Sequence, residues 1–115
     1  MCGIAGILRF DGHPIDATRA ERMMASLRQR GPDGYGIWTE EPVVSLVHTR
    51  LSIIDLLGGQ QPMTVQAKDS SNDAPAHDQL TLVFNGEIYN HRSLRRQLEA
   101  FGHRFTSDHC DTEVL

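Results

Sequence analysis

Cysteine is scarce in this sequence of 115 residues, which contains only Cys2 and Cys110. The two cysteines do not form a C-x-x-C pair, and the six histidines match no recognised metal-binding spacing. A disulfide framework and a structural zinc site are therefore excluded as the basis of the fold, and we expect no metal in this segment. With 39% hydrophobic and 23% charged residues, the composition is typical of one water-soluble globular domain.

A net positive charge and long apolar runs are also lacking. The net charge is -4, so nucleic acid and anionic membrane surfaces are not expected partners. The apolar start from Ile4 to Leu8 follows no basic segment and ends at Arg9, unlike a signal peptide or a membrane-spanning helix. No G-x-x-x-x-G-K-[ST] phosphate loop occurs. We expect a cytoplasmic protein that acts on a small metabolite.

One of the two cysteines, Cys2, stands directly after Met1. If Met1 is removed, the chain begins with a thiol beside a free α-amine. Both groups titrate near neutral pH in model compounds, so the amine can take the thiol proton without a second catalytic residue. Position alone favours a buried structural cysteine, since cysteine is among the most buried residue types. Motifs further along the chain favour the nucleophile instead.

Local patterns in the first half of the chain predict three strands and a helix. Runs of β-branched and apolar residues indicate strands, and apolar residues at helical spacing after a suitable N-cap indicate a helix. A loop rich in Gly and Pro then interrupts the helical pattern. The predicted elements are a strand at 2–10, a helix from Asp16 to about Arg28, a strand at 35–39, a turn at 40–42, and a strand at 43–54 that is continuous or bent at Arg50.

The second half has fewer apolar anchors. A polar stretch predicts an exposed, mobile loop, and an Asn-Gly pair is typical of a tight hairpin turn. The first predicted elements are a loop from Thr64 to Gln79 and strands at 80–84 and 87–89 paired about Asn85-Gly86. A helix capped by Asn90 follows, with Leu94, Leu98 and Phe101 on one face and Gly102 at its end. A strand at 103–106 and a helix cap at Asp111 complete the prediction. This order fits an α+β fold built in layers.

Six short motifs occur in order along the chain. They are Met-Cys-Gly-Ile-Ala-Gly at 1–6, Arg-Gly-Pro-Asp-Gly at 30–34, Arg-Leu-Ser-Ile-Ile-Asp at 50–55, Gln-Pro-Met at 61–63, Asn-Gly-Glu-Ile-Tyr-Asn-His at 85–91 and Asp-Thr-Glu-Val at 111–114. The set resembles the N-terminal glutaminase domain of class II glutamine amidotransferases, most closely that of glutamine-dependent asparagine synthetases. The resemblance implies the four-layer αββα sandwich of N-terminal nucleophile hydrolases. It further implies that residues 1–115 are the N-terminal part of that domain, with its remainder and the synthetase domain absent.

The resemblance implies hydrolysis of glutamine to glutamate and ammonia through a γ-glutamyl thioester. Cys2 is then the nucleophile and its own α-amine the base, which requires removal of Met1. The side-chain amide of Asn85 and the backbone N–H of Gly86 are assigned to the oxyanion hole. A hairpin turn explains the same Asn-Gly pair equally well, and both readings stay open.

Charged residues complete the glutamine site that the resemblance implies. Arg50 fits the α-carboxylate of glutamine, because a guanidinium donates two charge-assisted hydrogen bonds to a carboxylate. Asp111 and Glu87 are expected to hold the α-ammonium group, with a plain helix cap as the alternative for Asp111. Arg30 is expected to position the segment near Cys2, a surface ion pair being the alternative. Cys110 is expected to be structural or incidental.

The resemblance also implies partners and cofactors. L-glutamine and a C-terminal synthetase domain are the expected partners, with ATP and magnesium used by that domain and no cofactor in this segment. His48, His91 and His109 are not expected to act as bases, because the terminal amine fills that role. Two alternatives stay open: an amidotransferase with another carboxylate acceptor, and a catalytically silent regulatory or interaction domain. The oligomeric state, including a homodimer, is open as well.

Overall fold

The computed structural model describes residues 1–53, 58–66, 79–107 and 109–115. Within these ranges the chain combines two antiparallel sheets with two α-helices, which confirms the α+β class. In chain order, the elements are β1 (Gly3–Leu8), α1 (Ala17–Leu27), β2 (Gly34–Glu40), β3 (Val44–Arg50), β4 (Met63–Gln66), β5 (Gln79–Leu82), α2 (His91–Ala100) and a 3₁₀ helix (Thr112–Val114).

The larger sheet has three antiparallel strands in the order β1-β3-β2. Residues directly opposite each other on paired strands share a face of the sheet, and successive residues alternate between faces. Ile4 pairs with His48 on β3, and His48 pairs with Gly36 on β2. Extending the β1–β3 register by one residue places Cys2 opposite Arg50. Cys2, which directly precedes β1, therefore lies on the same face of the sheet as His48 and Arg50 of β3.

Helix α1 covers the opposite face of this sheet. Its N-cap is Asp16, whose Oδ1 accepts a hydrogen bond of 3.0 Å from the backbone N–H of Thr18, as the sequence predicts. The hydroxyl of Thr49, on the covered face of β3, donates to the carbonyl oxygen of Leu27 at 3.1 Å. Ala20 is only 1% exposed in this layer. The helix thus leaves the face with His48 and Arg50 for other parts of the chain.

The segment before β4 lies against that other face. A Cβ atom added to Gly36 would be only 2.3 Å from the carbonyl oxygen of Gln61, so no side chain fits between them. The segment leads into the second sheet, in which β4 and β5 pair antiparallel with Met63 opposite Leu82. Helix α1, the larger sheet and the segment before β4 therefore lie one on another as successive layers.

Some boundaries and pairings differ from the predictions. Strand β3 ends at Arg50 and residues 51–53 form no strand, so the strand predicted for 43–54 is wrong beyond Arg50. The hairpin about Asn85-Gly86 is wrong, because β5 pairs with β4 and residues 83–90 contain no strand. Residues 103–106 form no strand either. In the hairpin case the pairing of β5 with β4 decided the outcome, because a strand's partner can lie far from it in the sequence.

The loop predicted from Thr64 to Gln79 is only partly described. Its first residues belong to β4 and Gln79 begins β5, so the prediction is wrong at both ends. Residues 67–78 lie outside the described part of the chain, as do 54–57 and 108. A run of polar residues can occupy a short exposed sheet, since one face of a two-stranded sheet is free to face water.

Helix α2 forms where the sequence predicts it, and the described residues cover its apolar face only in part, since Leu94 and Leu98 are half-buried. Asn90 occupies the N-cap position without a side-chain capping hydrogen bond, and no residue of the helix is buried. Phe101 remains 83% exposed among the described residues. Gly102 has a φ of 88°, the left-handed conformation expected of a helix C-terminal glycine. None of the described helices is long and apolar enough to cross a membrane.

The loop after α1 passes directly against the end of β3. A Cβ atom added to Gly31 would lie 2.3 Å from the carbonyl carbon of Thr49 and 2.4 Å from the backbone nitrogen of Arg50. Backbone atoms in a paired strand cannot move aside without breaking the ladder. Gly31 is therefore required for this close approach.

We expect Gly31→Ala to lower the free energy of unfolding by at least about 2 kcal/mol, because the added methyl group overlaps the backbone of β3. Gly34→Ala is the matched control, since its Cβ would meet the Cβ of Arg50 at an ordinary 3.7 Å. Urea denaturation of the complete native protein measures both. Equal free energies of unfolding for the two variants would contradict the requirement for glycine at position 31.

Candidate active site

A cavity of about 370 Å³ opens on the sheet face that carries His48 and Arg50. Its walls come from the N-terminus, the end of β3, the segment before β4, the loop after β5 and the stretch before the 3₁₀ helix. The volume falls in the range of about 300–1,000 Å³ that is usual for small-molecule sites. All six site residues predicted from the motifs line it: Cys2, Arg50, Asn85, Gly86, Glu87 and Asp111.

Cys2 is half-buried at the edge of the cavity and is held by the chain that follows β3. The backbone N–H of Leu51 donates to its Sγ at 3.4 Å, and Sγ lies 3.7 Å from the carbonyl oxygen of Leu51. Arg30 Nε donates to the carbonyl oxygen of Cys2 at 3.3 Å, which agrees with the predicted positioning role of Arg30. Backbone contacts with Leu51 thus orient the thiol.

Arg50 is 7% exposed, and the Arg-Gly-Pro-Asp-Gly loop supports its backbone. The N–H of Asp33 donates to the carbonyl oxygen of Arg50 at 2.9 Å. The Asp33 carboxylate in turn accepts a hydrogen bond of 2.8 Å from the N–H of Ser52. Two of the motifs therefore act as one structural unit that holds the end of β3 at the cavity.

The buried amide of Gln61 joins two other walls of the cavity. Its Oε1 accepts a hydrogen bond of 2.6 Å from the backbone N–H of Phe84, directly before Asn85. Its Nε2 donates to the hydroxyl of Thr112 at 3.3 Å, directly after Asp111. Sequence reasoning assigned no role to Gln61, although its place in the Gln-Pro-Met motif was the available signal. It positions both neighbouring segments.

Asp111 is 8% exposed and occupies the N-cap position of the 3₁₀ helix, as the sequence predicts, but its carboxylate makes no capping hydrogen bond. Asp111 Oδ2 accepts a hydrogen bond of 2.8 Å from the backbone N–H of Ile88. This bond fixes the loop that carries Asn85 to Glu87, which is neither strand nor hairpin. Gly86 and Glu87 are exposed at the mouth of the cavity, whereas Asn85 is half-buried.

His48 is a cavity residue that sequence reasoning did not assign to the site. Its ring is 1% exposed, and neither nitrogen has a hydrogen-bond partner within the described ranges. Burial, together with the positive charge of Arg50, lowers the pKa of His48 below its usual range. The backbone of Phe84 opposes this shift, although its geometry falls short of a hydrogen bond. The signal in the sequence was a polar triplet inside an apolar run.

The other thiol also reaches this cavity. Cys110 is 2% exposed, unpaired with any cysteine, and its backbone N–H donates to the hydroxyl of Ser107 at 3.1 Å. Within the described residues, no group of three or more His, Cys, Asp or Glu could hold a metal ion. The charged and amide side chains that line the cavity suit an organic molecule with charged and amide groups.

Comparison with known proteins decides the family. The family described as "Glutamine amidotransferase domain" matches residues 1–115, the whole chain. The chain belongs to the glutamine amidotransferase domain family. This confirms the family predicted from the six motifs, and it accounts for a cysteine held at the edge of a polar cavity.

Relatives of this glutamine amidotransferase domain are much longer proteins. It is 39% identical over 116 residues to glutamine-hydrolysing asparagine synthetase 3 of Bacillus subtilis, a match to 100% of this chain and 17% of that relative. It is 33% identical over 115 residues to asparagine synthetase B of Escherichia coli, covering 96% of this chain and 18% of that protein. The domain therefore spans less than a fifth of the length of these two relatives.

Proposed function

We propose that this chain is the glutaminase part of a glutamine-hydrolysing asparagine synthetase. One observation carries the proposal: six residues scattered from Cys2 to Asp111, each chosen from a motif, line a single cavity. The names of the relatives supply the reaction, hydrolysis of glutamine coupled to asparagine synthesis. A catalytically silent domain is the weaker proposal, because it gives no reason for this convergence of residues.

The proposed chemistry begins at Cys2. Its thiolate attacks the carboxamide carbon of glutamine, and its α-amine takes the thiol proton and returns it to the departing ammonia. Water then cleaves the thioester to release glutamate. Met1 lines the cavity beside Cys2, so its removal frees the amine at the place where the proton transfer is needed.

The loop after β5 supplies the proposed oxyanion hole. The Asn85 amide and the Gly86 N–H are donors that strengthen as negative charge develops on the attacked carbonyl oxygen. Gln61 and Asp111 hold this loop at both ends through the bonds to Phe84 and Ile88. Donors fixed in advance need no reorganisation during the reaction.

The charged residues are proposed to hold the amino acid part of glutamine. Arg50 binds the α-carboxylate by paired hydrogen bonds. Asp111 and Glu87 attract the α-ammonium group, and a carboxylate bonded to one backbone N–H still has lone pairs to accept others. Opposite charges at fixed positions select an α-amino acid over a simple amide.

The proposal extends to the rest of the protein. Ammonia passes to a C-terminal synthetase domain, where ATP and Mg²⁺ activate aspartate for amidation, and no residue of this chain takes part in that step. We further propose a cytoplasmic location, since the proposed substrates are cytoplasmic metabolites.

We also propose the complete four-layer αββα sandwich, of which residues 1–115 are the N-terminal part. Support comes from α1 on one face of the larger sheet and the Gln61 segment on the other. Ile4 and Leu8 point to this second face and are 45% and 58% exposed, which leaves apolar surface for further strands to cover.

The proposed function is tested by following the amide nitrogen. We expect the complete native protein, given amide-¹⁵N glutamine, aspartate, ATP and Mg²⁺, to form ¹⁵N-asparagine detectable by mass spectrometry. Unlabelled glutamine with ¹⁵N-ammonia is the control for the synthetase step alone. Formation of glutamate without labelled asparagine would indicate an amidotransferase with another acceptor. Absence of glutamate would favour the catalytically silent domain.

A further inference from the structure

The last of the six motifs carries a second carboxylate, Glu113, which does not line the cavity. The backbone N–H of Thr106 donates to its Oε1 at 2.6 Å and the hydroxyl of Thr106 donates at 2.5 Å. The backbone N–H of Ser107 donates to Oε2 at 3.0 Å, and the hydroxyl of Ser107 bonds the same oxygen. Glu113 therefore ties the 3₁₀ helix to the segment 106–107.

The charge of Glu113 fixes the direction of these bonds. Partial burial by itself would raise the pKa of Glu113, but the hydrogen bonds from Ser107 and Thr106 together outweigh it and hold the pKa below its usual range. Because an ionised carboxylate only accepts hydrogen bonds, the hydroxyl of Ser107 donates its proton to Glu113. The same hydroxyl oxygen accepts a hydrogen bond of 3.1 Å from the backbone N–H of Cys110.

These bonds hold the backbone on both sides of Asp111. Cys110 directly precedes Asp111 and is bonded through Ser107, whereas Glu113 follows two residues later. The Asp111 carboxylate lines the cavity and accepts a hydrogen bond of 2.8 Å from the backbone N–H of Ile88. A binding group that is fixed before the ligand arrives avoids the cost of ordering it during binding.

Helix α2 supports the segment to which Glu113 is bonded. Arg95 Nη2 donates to the carbonyl oxygen of Ser107 at 2.5 Å. The guanidinium carbon of Arg95 lies 4.5 Å from the ring centroid of Phe105, a distance at which a cation and an aromatic face attract each other. Glu113 therefore bonds a segment that is itself anchored.

We propose that Glu113 is a positioning residue for the α-ammonium group of glutamine and acts through Asp111. The inference rests on the proposed glutaminase function, in which Asp111 attracts that group. Loss of the Glu113 carboxylate is expected to weaken binding of the amino acid part of the substrate, because Asp111 is then less well fixed. The chemical step at Cys2 does not depend on this contact.

The test is Glu113→Gln in the complete native protein, because the amide has the same shape but only one acceptor oxygen. We expect the KM for glutamine to rise about tenfold, with kcat changed less than about twofold. Glutaramate, which is glutamine without its α-amino group, should keep its inhibition constant. The ratio of that constant to the KM for glutamine therefore falls about tenfold. Glu21→Gln, at an exposed position of α1, is the matched control and should leave the ratio unchanged.

A double-mutant cycle tests whether Glu113 acts through Asp111. Asp111→Asn removes the negative charge and keeps an oxygen that can accept from the Ile88 N–H. Adding Glu113→Gln to this variant should lower the ratio by no more than about twofold further, because both substitutions affect the same interaction with the α-ammonium group. Steady-state kinetics with glutamine and glutaramate measure all four proteins.

Ser107→Ala keeps the test decisive if Glu113→Gln does not fold. It removes only the hydroxyl between Glu113 and Cys110, and we expect the KM for glutamine to rise about threefold with a matching fall in the ratio. An active wild type whose ratio is unchanged in these variants, or full additivity in the cycle, would overturn the inference alone. A wild type that hydrolyses no glutamine would overturn the proposed function and this inference with it.

Discussion

Replacing Cys2 by alanine is expected to lower glutamine hydrolysis by more than about 10³-fold, because the covalent route loses its nucleophile and only binding and oxyanion stabilisation are left. Synthesis of asparagine from added ammonia should stay within about twofold, since that step needs no thiol at the glutamine cavity. Release of glutamate from glutamine and formation of asparagine from ammonium chloride are measured on the same preparation.

The matched control for this variant is Cys110→Ala, which removes the other cysteine of the sequence. Cys110 also lines the cavity, but its Sγ has no role in the proposed chemistry, so most of the hydrolysis should be kept. Intact-mass analysis of active protein should show a chain without Met1. Substantial hydrolysis by Cys2→Ala, or full activity of a chain that retains Met1, would rule out the terminal nucleophile.

Replacing Asn85 by alanine is expected to lower kcat for glutamine hydrolysis by about 10²–10³-fold, equivalent to about 2.7–4 kcal/mol of transition-state stabilisation. The KM should change little, because an oxyanion donor interacts most strongly with charge that develops after substrate binding. Steady-state kinetics with glutamine separate the two parameters. This pattern differs from that of a turn residue, whose loss lowers stability and reduces both activities together.

Asn90→Ala is the control for this prediction. Asn90 lies five residues further along the same segment, and its side chain makes no capping hydrogen bond at the start of α2. Its replacement should leave kcat and melting temperature nearly unchanged. A rise in KM with unchanged kcat in Asn85→Ala would instead place Asn85 among the groups that bind ground-state glutamine.

Elements that depend on neighbouring residues were predicted well from the sequence. The Asp16 cap, helix α1 and the left-handed Gly102 follow from side chains within four residues of each other. The partner of β5 was not predictable in this way, because the Asn-Gly pair is a strong local hairpin signal. β5 pairs instead with β4, which lies earlier in the chain. Pairing between strands that are distant in the sequence leaves no short-range pattern.

Some residues of the candidate site were identified from the sequence, and others only from the structure. Motifs identified Cys2, Arg50 and Asp111, and the structure brings them to one cavity, while their catalytic roles stay predictions. Gln61 and His48 were not identified, because a motif or a polar triplet marks the residues without showing what they contact. Only the structure shows those contacts: Gln61 makes two hydrogen bonds to separate segments, and no described group bonds either ring nitrogen of His48.

The sequence by itself determined the family, the α+β class and the local elements, because motif residues, caps and apolar spacing act over a few positions. The tertiary structure decided which strand β5 pairs with, where β3 ends, and that the Asp111 carboxylate bonds the Ile88 N–H and makes no capping hydrogen bond. It also decided that His48 is buried near Arg50, with no hydrogen-bond partner in the described part of the chain. These features depend on burial and on contacts between distant segments, which exist only once the chain has folded.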